Sequence, residues 1–101
     1  MTQKIFFHPA AEEEYAAAVD WYFERSQRAA EFFADEVSGA VEQVRGSAVR
    51  FPPFTSGTRR ALLRRFPYFL VFRETQSGIQ ILAVAHAKRR PGYWKRRLEE
   101  K

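Results

Sequence analysis

The chain has 101 residues, of which 46% are hydrophobic and 16% aromatic, a composition typical of one globular domain folded around a single core. It contains no cysteine, which excludes disulfide bonds, thiolate catalysis and cysteine zinc sites and is consistent with a reducing cytoplasm. The N-terminal sequence MTQKIFFHPA lacks the apolar core of a signal peptide, and no apolar run approaches the ~18 residues that span a bilayer. We therefore expect a cytoplasmic protein without membrane contact.

The charge is divided unequally between the two halves of the chain. Residues 1–50 hold five Lys and Arg residues against nine Asp and Glu, a net charge of −4, whereas residues 51–101 hold twelve against three, a net charge of +9. Thirteen of the seventeen cations are arginine, which pairs bidentately with phosphate and carboxylate groups. The C-terminal half is therefore predicted to face a polyanion or an acidic partner, the alternative being a surface that only solubilises the protein.

The N-terminal sequence predicts a strand followed by a helix. Residues 4–7 are apolar and rich in strand formers, and Pro9 suits a first helical turn, where its missing N–H is not needed. His8, just before this proline, is interpreted as structural. Glutamates 12–14 favour the positive end of the helix dipole, so we interpret them as a helix-start device rather than a metal site. The apolar positions at helical spacing are Ala11, Tyr15, Ala18, Val19 and Tyr22.

A second helix is predicted to begin after Ser26 and to end at Gly46. Ser26 is a suitable N-cap residue, and glycine is common where helices end. Because the junction is short, the two helices should form an antiparallel hairpin. The apolar positions near heptad spacing are Ala30, Phe33, Val37, Ala40, Val41 and Val44. We interpret both stripes as packing surfaces rather than as a cofactor site.

The C-terminal half predicts three strands. Two adjacent prolines in FPPFTSG, residues 51–57, prevent the helix from continuing. Strand patterns then cover residues 59–65, 68–74 and 79–86, and their short connections indicate an antiparallel meander. ILAVA, residues 81–85, is apolar at every position and belongs in the sheet interior, beside the N-terminal strand. The predicted fold is α+β with the order β-α-α-β-β-β, an antiparallel sheet with a two-helix hairpin packed on one face, in a single domain of residues 1–101.

Ionisable side chains follow two of the predicted strands. We expect positions 59–65, 73 and 86–94 of the meander to converge on one concave face. A metal-free ribonuclease needs a base, an acid and cations on the phosphate. His86 can serve as acid or base, Tyr93 can donate a proton or stack on a base, and Arg65 and Arg89 can hold the phosphate.

Each of these residues also has a structural interpretation. His86 can cap the strand end through a hydrogen bond, and Tyr93 and Trp94 can form a C-terminal lid over the sheet edge. Arg96 and Arg97 are interpreted as solvated. The two histidines are far apart in sequence, and no P-loop, Rossmann or serine-nucleophile motif is present, so we expect neither a metal nor a cofactor.

Five segments together resemble one protein family. The chain contains HPxAxxE near its start, WY in the first helix, FxxEV in the second, and then RRFPYFLVFR and ILAVAHAKRRPGYW. This order resembles the RelE/ParE superfamily of toxins from bacterial type II toxin-antitoxin modules, over essentially the whole chain. The resemblance implies a toxin that forms a hetero-oligomer with a cognate antitoxin, which wraps it with a segment that folds on binding. An acidic or amphipathic segment would suit the basic half of this chain.

The resemblance implies two possible activities for one fold. RelE-like toxins are endoribonucleases that cut ribosome-bound mRNA, whereas ParE-like toxins poison DNA gyrase and have no known hydrolytic site. Arg89 and Tyr93 fall where RelE-like toxins place a phosphate-binding arginine and a terminal tyrosine. However, the position of another catalytic arginine of RelE aligns with Phe69, and the two positions of the RelE lysine pair align with Arg60 and Leu62. These departures favour a growth-inhibiting, ParE-like toxin.

Two alternatives to the ParE-like interpretation stay open, and with them the question of whether the chain is an enzyme. One is a metal-independent mRNA endonuclease that uses His86, Arg89, Tyr93 and Arg65. The other is a degenerate toxin that serves only as a subunit of an antitoxin-bound operator complex. The residues predicted to bind phosphate or a partner are Arg60, Arg64, Arg73, Lys88, Arg90 and Trp94.

Overall fold

The structure is a computed structural model that describes residues 3–100. Its elements follow the predicted order: β1 (Ile5–Phe7), α1 (Pro9–Arg25), α2 (Gln27–Gly46), β2 (Arg59–Leu62), β3 (Tyr68–Thr75) and β4 (Gly78–His86). Short 3-10 helices cover Ala48–Arg50 and Lys95–Glu99. None of the helices in the described part of the chain is both long and apolar enough to cross a bilayer.

Side chains fix the start of each helix where the sequence predicted it. The Nδ1 atom of His8 accepts a hydrogen bond from the backbone N–H of Ala10 at 3.0 Å, and its Nε2 lies 2.6 Å from Oε1 of Glu100. The structural interpretation of His8 is therefore confirmed. The Oγ of Ser26 accepts from the N–H of Ala29 at 3.1 Å, which confirms the predicted N-cap of α2.

The four strands form one sheet in the order β1-β4-β3-β2. The β2–β3 and β3–β4 pairs are antiparallel, so the predicted meander is confirmed. As predicted, β1 lies beside β4, but it runs parallel to it, so the sheet is mixed rather than wholly antiparallel. Short turns dictate the antiparallel direction only within the meander, whereas β1 reaches β4 through both helices and the rest of the sheet.

Strand β2 is shorter than the sequence predicted. It ends at Leu62 rather than at Arg65. The backbone N–H groups of Arg64 and Arg65 both donate to Oε1 of Glu36 on α2, and both side chains are exposed. Because a helix carboxylate takes these two donors, they are withdrawn from the strand ladder.

A β-bulge interrupts the register between β3 and β4. Val71 pairs with Ala83, but Phe72 pairs with Ile81, which leaves Leu82 as an extra residue on β4. Side chains alternate between the two faces of a strand, so one extra residue moves every following side chain to the opposite face. The end of β4 therefore presents different residues to the helices than strict alternation would.

The sheet has a hydrophobic cluster on each face. On the face covered by α1 and α2, Phe33 is fully buried, and its ring centroid lies within 5.1–6.1 Å of four aromatic rings, those of Tyr15, Tyr22, Phe66 and Tyr68. The apolar stripes of both helices pack here, which confirms them as core. The opposite, outer face is covered by the C-terminal tail, residues 93–99. The buried outer cluster comprises Val71, Leu82, Ala83, Ala85 and Trp94.

Candidate functional site

Where β1 stops, two side chains form hydrogen bonds with the backbone edge of β4. Strand β1 ends at Phe7, since Pro9 begins α1, and the last backbone bond between them joins the N–H of His8 to the carbonyl of Ile81 at 2.9 Å. Beyond this point, Nη1 of Arg97 donates to the carbonyl of Leu82 at 2.8 Å. The N–H of Val84 donates to Oε1 of Glu14 at 3.0 Å. Two side chains therefore satisfy backbone groups that a longer β1 would have paired.

Glu14 is the centre of this network. Its Oε2 accepts from the Tyr93 hydroxyl at 2.7 Å and from Nη2 of Arg97 at 2.8 Å, while its Oε1 also accepts from Nη1 of Arg97 at 3.0 Å. With the bond from Val84, four donors meet one carboxylate, which matches its acceptor capacity. Of the three glutamates predicted to start α1, only Glu12 lies in the first turn. For Glu14 the prediction was wrong, because its side chain ties the C-terminal tail to α1 and β4.

The same network fixes the protonation of Tyr93. Burial raises the pKa of its hydroxyl well above the usual value near 10, and the hydrogen bond and charge of Glu14 raise the pKa further. Burial alone would lower the pKa of Arg97, but its hydrogen bonds to Glu14 and the charge of that carboxylate raise it. At neutral pH the Tyr93 hydroxyl is therefore protonated, and it already donates its hydrogen bond to Glu14. The guanidinium of Arg89 lies over the Tyr93 ring, 3.9 Å from its centroid.

A cleft of about 480 Å³, the His86 cleft, opens on the helix-covered side between α1 and the end of β4. Its lining residues are Glu14, Ala17, Ala18, Trp21, Tyr22, Pro67, Tyr68, Val84, His86 and Arg89. The Nδ1 of His86 accepts from the N–H of Lys88 at 3.0 Å, as expected for a strand-end cap. The His86 ring meets the Tyr68 ring edge-on, with 5.0 Å between centroids. The cleft thus combines aromatic walls with a cationic and a titratable group.

Other predicted site residues lie on the outer face of the sheet. The Arg60 guanidinium lies between two rings, 4.4 Å from the centroid of Phe54 and 5.3 Å from that of Phe69. Arg73 is held by Gln80, whose Oε1 accepts from its Nε at 2.9 Å, and by the carbonyl of Leu98 at 3.1 Å. These two arginines are therefore separated by the sheet from the His86 cleft.

The predicted convergence of all these groups on one concave face is wrong. His86 and Arg89 line the cleft on the helix side, and Arg65 lies in the β2–β3 loop, outside the cleft lining. Trp94, predicted to bind phosphate or a partner, is only 1% exposed and packs in the outer cluster, as expected of a lid. The bulge at Leu82 is the physical reason that His86 lies on the helix side, because strict alternation would have placed it on the outer face.

The remaining predicted cations are exposed. Lys88, Arg89 and Arg90 lie in the turn after β4, and none of them forms an ion pair with another described residue. Since Arg97 pairs with Glu14, the only carboxylate in the cleft lining, the rim of the cleft is positive. Among residues 3–100, no three His, Cys, Asp or Glu side chains cluster closely enough to hold a metal ion.

Sequence reasoning missed Glu14, Trp21 and Arg97 as parts of this region. One signal for Glu14 was available, because it lies three residues after Ala11 and four before Ala18, which puts it on the buried stripe of α1. A carboxylate on a buried stripe requires a partner. Arg97, interpreted from the sequence as solvated, is that partner.

The fold matches that of a solved toxin-antitoxin structure. The structure titled "Chromosomal ParDE TA system from P. aeruginosa" superposes with a TM-score of 0.73 and 21% identity, over 86% of this chain and 98% of that chain. The α+β arrangement of a helix hairpin on a mixed four-stranded sheet is thus shared with that structure.

Sequence comparison narrows this class to one family. Toxin ParE2 of Mycobacterium tuberculosis, in strains CDC 1551 and H37Rv, is 28% identical over 95 residues, which cover 90% of this chain and 88% of the relative. The family model described as the ParE toxin of the type II toxin-antitoxin system parDE matches residues 5–91. The chain belongs to the ParE toxin family. The predicted superfamily and the preference for a ParE-like toxin are therefore confirmed.

Proposed function

We propose that this toxin inhibits growth in the cytoplasm by binding and poisoning DNA gyrase, without hydrolytic chemistry of its own. One observation carries the proposal: the Tyr93 hydroxyl donates to Glu14 at 2.7 Å, so it is not free to exchange a proton with a substrate. A ribonuclease of this type needs two groups that transfer protons during the reaction. His86 alone does not supply that pair.

The charges around the cleft also favour binding over phosphodiester cleavage. The nuclease interpretation requires several cations on one phosphate. Arg89 lines the cleft, but Arg65 lies outside it and Arg60 lies on the other face of the sheet. Of the arginines assigned to the nuclease, a phosphate in the cleft would therefore meet only Arg89.

We further propose that a cognate antitoxin neutralises the toxin in a hetero-oligomer. The exposed cations at residues 88–90 form no ion pair with another described residue and would attract an acidic segment, and such complementarity speeds association and selects the partner. The family model itself describes toxins of a toxin-antitoxin system.

Two assays with the purified toxin test the target. We expect it to inhibit supercoiling by purified DNA gyrase and to accumulate linear plasmid, while the mRNA in a reconstituted translation reaction stays intact. Cleaved ribosome-bound mRNA together with normal gyrase activity would contradict the proposal. Inactivity in both assays, with no growth defect on expression, would instead favour a degenerate toxin.

A double substitution tests the chemistry separately. We expect the His86→Ala/Tyr93→Phe variant to remain toxic to cells, because neither group transfers a proton in gyrase poisoning. Its thermal unfolding should first show that it is folded, since Tyr93 contributes a hydrogen bond to the native structure. Complete loss of toxicity in the folded variant would favour the nuclease interpretation.

A further inference from the structure

We infer that the His86 cleft is the docking site for an acidic, amphipathic segment of the antitoxin. This segment inserts one aromatic or branched apolar side chain beside Trp21, and its carboxylates pair with Arg89 and the adjacent cations. The inference rests on the antitoxin partner of the proposed function. It adds where on the toxin that partner is anchored, and by which chemistry.

The first argument is the exposure of Trp21. Its side chain is 50% exposed although tryptophan is the largest apolar residue, and it forms part of the concave wall. The Arg25 guanidinium lies 3.7 Å from the centroid of its ring, and Tyr22 meets it edge-on at 5.0 Å. Exposed aromatic residues that line a pocket are typical anchors of protein interfaces.

The second argument is the charge at the rim. Arg89 lines the cleft, and the exposed Lys88 and Arg90 are its neighbours in sequence, while the single carboxylate of the lining is neutralised by Arg97. Arg89 is also held over the Tyr93 ring, so less side-chain entropy is lost when it pairs with an incoming carboxylate. These features select a partner with acidic residues on either side of an apolar one.

A second groove, of about 750 Å³, provides the contrast. It lies between β1 and the two helices and is also largely apolar, but Glu12 and Glu42 contribute to its lining. Glu42 is paired with Arg45 at 3.3 Å, but Glu12 forms no ion pair with another described residue and would repel an acidic segment. Of the two grooves, only the His86 cleft combines apolar walls with a positive rim.

The walls of the cleft favour a protein side chain over a nucleobase. Ala17, Ala18, Pro67 and Val84 contribute only apolar side chains to the lining. Two polar groups of the lining, the Glu14 carboxylate and the Nδ1 of His86, already accept hydrogen bonds within the protein. Recognition of a base needs donors and acceptors that face its edges. An apolar anchor is satisfied by the shape of the cleft and the exclusion of water.

Tryptophan fluorescence tests occupancy of the cleft directly. The chain has two tryptophans, and Trp94 is only 1% exposed, so acrylamide quenching of the free toxin reports mainly on Trp21. For the complex we use the full-length cognate antitoxin with any tryptophan of its own replaced by phenylalanine. In this complex we expect the quenching of Trp21 to fall to the level of a buried tryptophan. Unchanged quenching in a complex of confirmed stoichiometry would overturn the inference.

Matched substitutions test the energetics by titration calorimetry. We expect Trp21→Ala to weaken antitoxin binding at least about tenfold, as for an interface hot spot. Phe23→Ala is the control, because Phe23 lies on the same helix and is 57% exposed but does not line the cleft. For charge, Arg89→Glu is compared with Arg96→Glu, an exposed tail residue outside the lining. Equal effects within either pair would overturn the inference.

Two further outcomes separate this inference from the proposed function. If a short single-stranded oligonucleotide protects Trp21 and the antitoxin does not, the cleft binds nucleic acid and the inference is wrong. If the antitoxin binds through the cleft but the free toxin leaves gyrase unaffected, only the proposed target is wrong. A wild-type toxin that does not bind the antitoxin would contradict both.

Discussion

The two faces of the sheet are covered in different ways. On the helix side, two long helices place residues at regular spacing against the strands, and Phe33 is surrounded by aromatic rings. On the outer side, an irregular tail lies across the sheet and is held mainly by the Trp94 side chain and by the bonds of Arg97 and Tyr93 to Glu14. The difference shows that the helix side supplies the main core, whereas the outer side depends on a few specific contacts.

Both faces are linked through the network around Glu14. Its carboxylate lies on α1 but binds two residues of the tail, and it also lines the His86 cleft. A change in the tail is therefore expected to alter the shape of the cleft on the opposite side.

The largest effect is expected in the helix-side core. Phe33→Ala should lower the free energy of unfolding by about 4–5 kcal/mol, because it removes a fully buried ring and leaves a cavity. Urea denaturation measures this change. Phe32→Ala is the control, since Phe32 is 42% exposed, and its effect should be below about 1 kcal/mol. Equal losses for the two variants would mean that Phe33 is not at the centre of the core.

Trp94→Ala should have the next largest effect, about 3–4 kcal/mol, because its ring is buried against the outer face. We also expect this loss to be local. In hydrogen exchange, amides of the C-terminal tail should lose protection before those of α1. Uniform loss of protection over the whole chain would contradict the idea that the tail is a separable cover.

Removal of one partner of the Glu14–Arg97 pair should cost about 2–3 kcal/mol, since it leaves a mostly buried charge unpaired. A double-mutant cycle with Glu14→Gln and Arg97→Met measures the coupling through urea denaturation. Arg96→Met, on the exposed neighbour, should change stability by no more than about 0.5 kcal/mol. A coupling energy near zero would show that the pair does not hold the tail.

The smallest effect is expected at alkaline pH. The pKa of Tyr93 is higher in the folded than in the unfolded state, so its contribution to stability is complete below pH ~10 and is lost as the pH rises towards the folded pKa. Tyr93→Phe should therefore make unfolding less sensitive to pH above ~10. Tyr68→Phe should do so less, because burial alone raises the pKa of Tyr68. Identical alkaline profiles for wild type and Tyr93→Phe would contradict this assignment.

Most of the fold could be predicted because its signals are local. The helix stripes, the caps at His8 and Ser26 and the short turns of the meander depend on residues close together in sequence. The direction of β1 could not be predicted, since no short turn joins it to β4. The bulge at Leu82 also left no signal, because ILAVA is apolar at every position and its pattern does not distinguish one face from the other.

The candidate site was predicted less completely for a related reason. His86 and Arg89 were recognised by their residue type and by their place after a strand, and both line the cleft. Glu14 was assigned to the helix start, because its partners Tyr93 and Arg97 lie 79 and 83 residues away in the chain. Contacts over such distances are set by how the elements pack.

The sequence by itself determined the order of the helices and strands, the family and the basic character of the C-terminal half, because periodicity, caps, motifs and charge are properties of neighbouring residues. Only the tertiary structure decided which groups share a surface. One extra residue in β4 moved His86 to the helix side, and one glutamate on α1 engaged Tyr93 and Arg97. The first result depends on the register of paired strands, which a uniformly apolar strand sequence does not reveal. The second depends on packing between distant parts of the chain, which the sequence around Arg97 does not reveal.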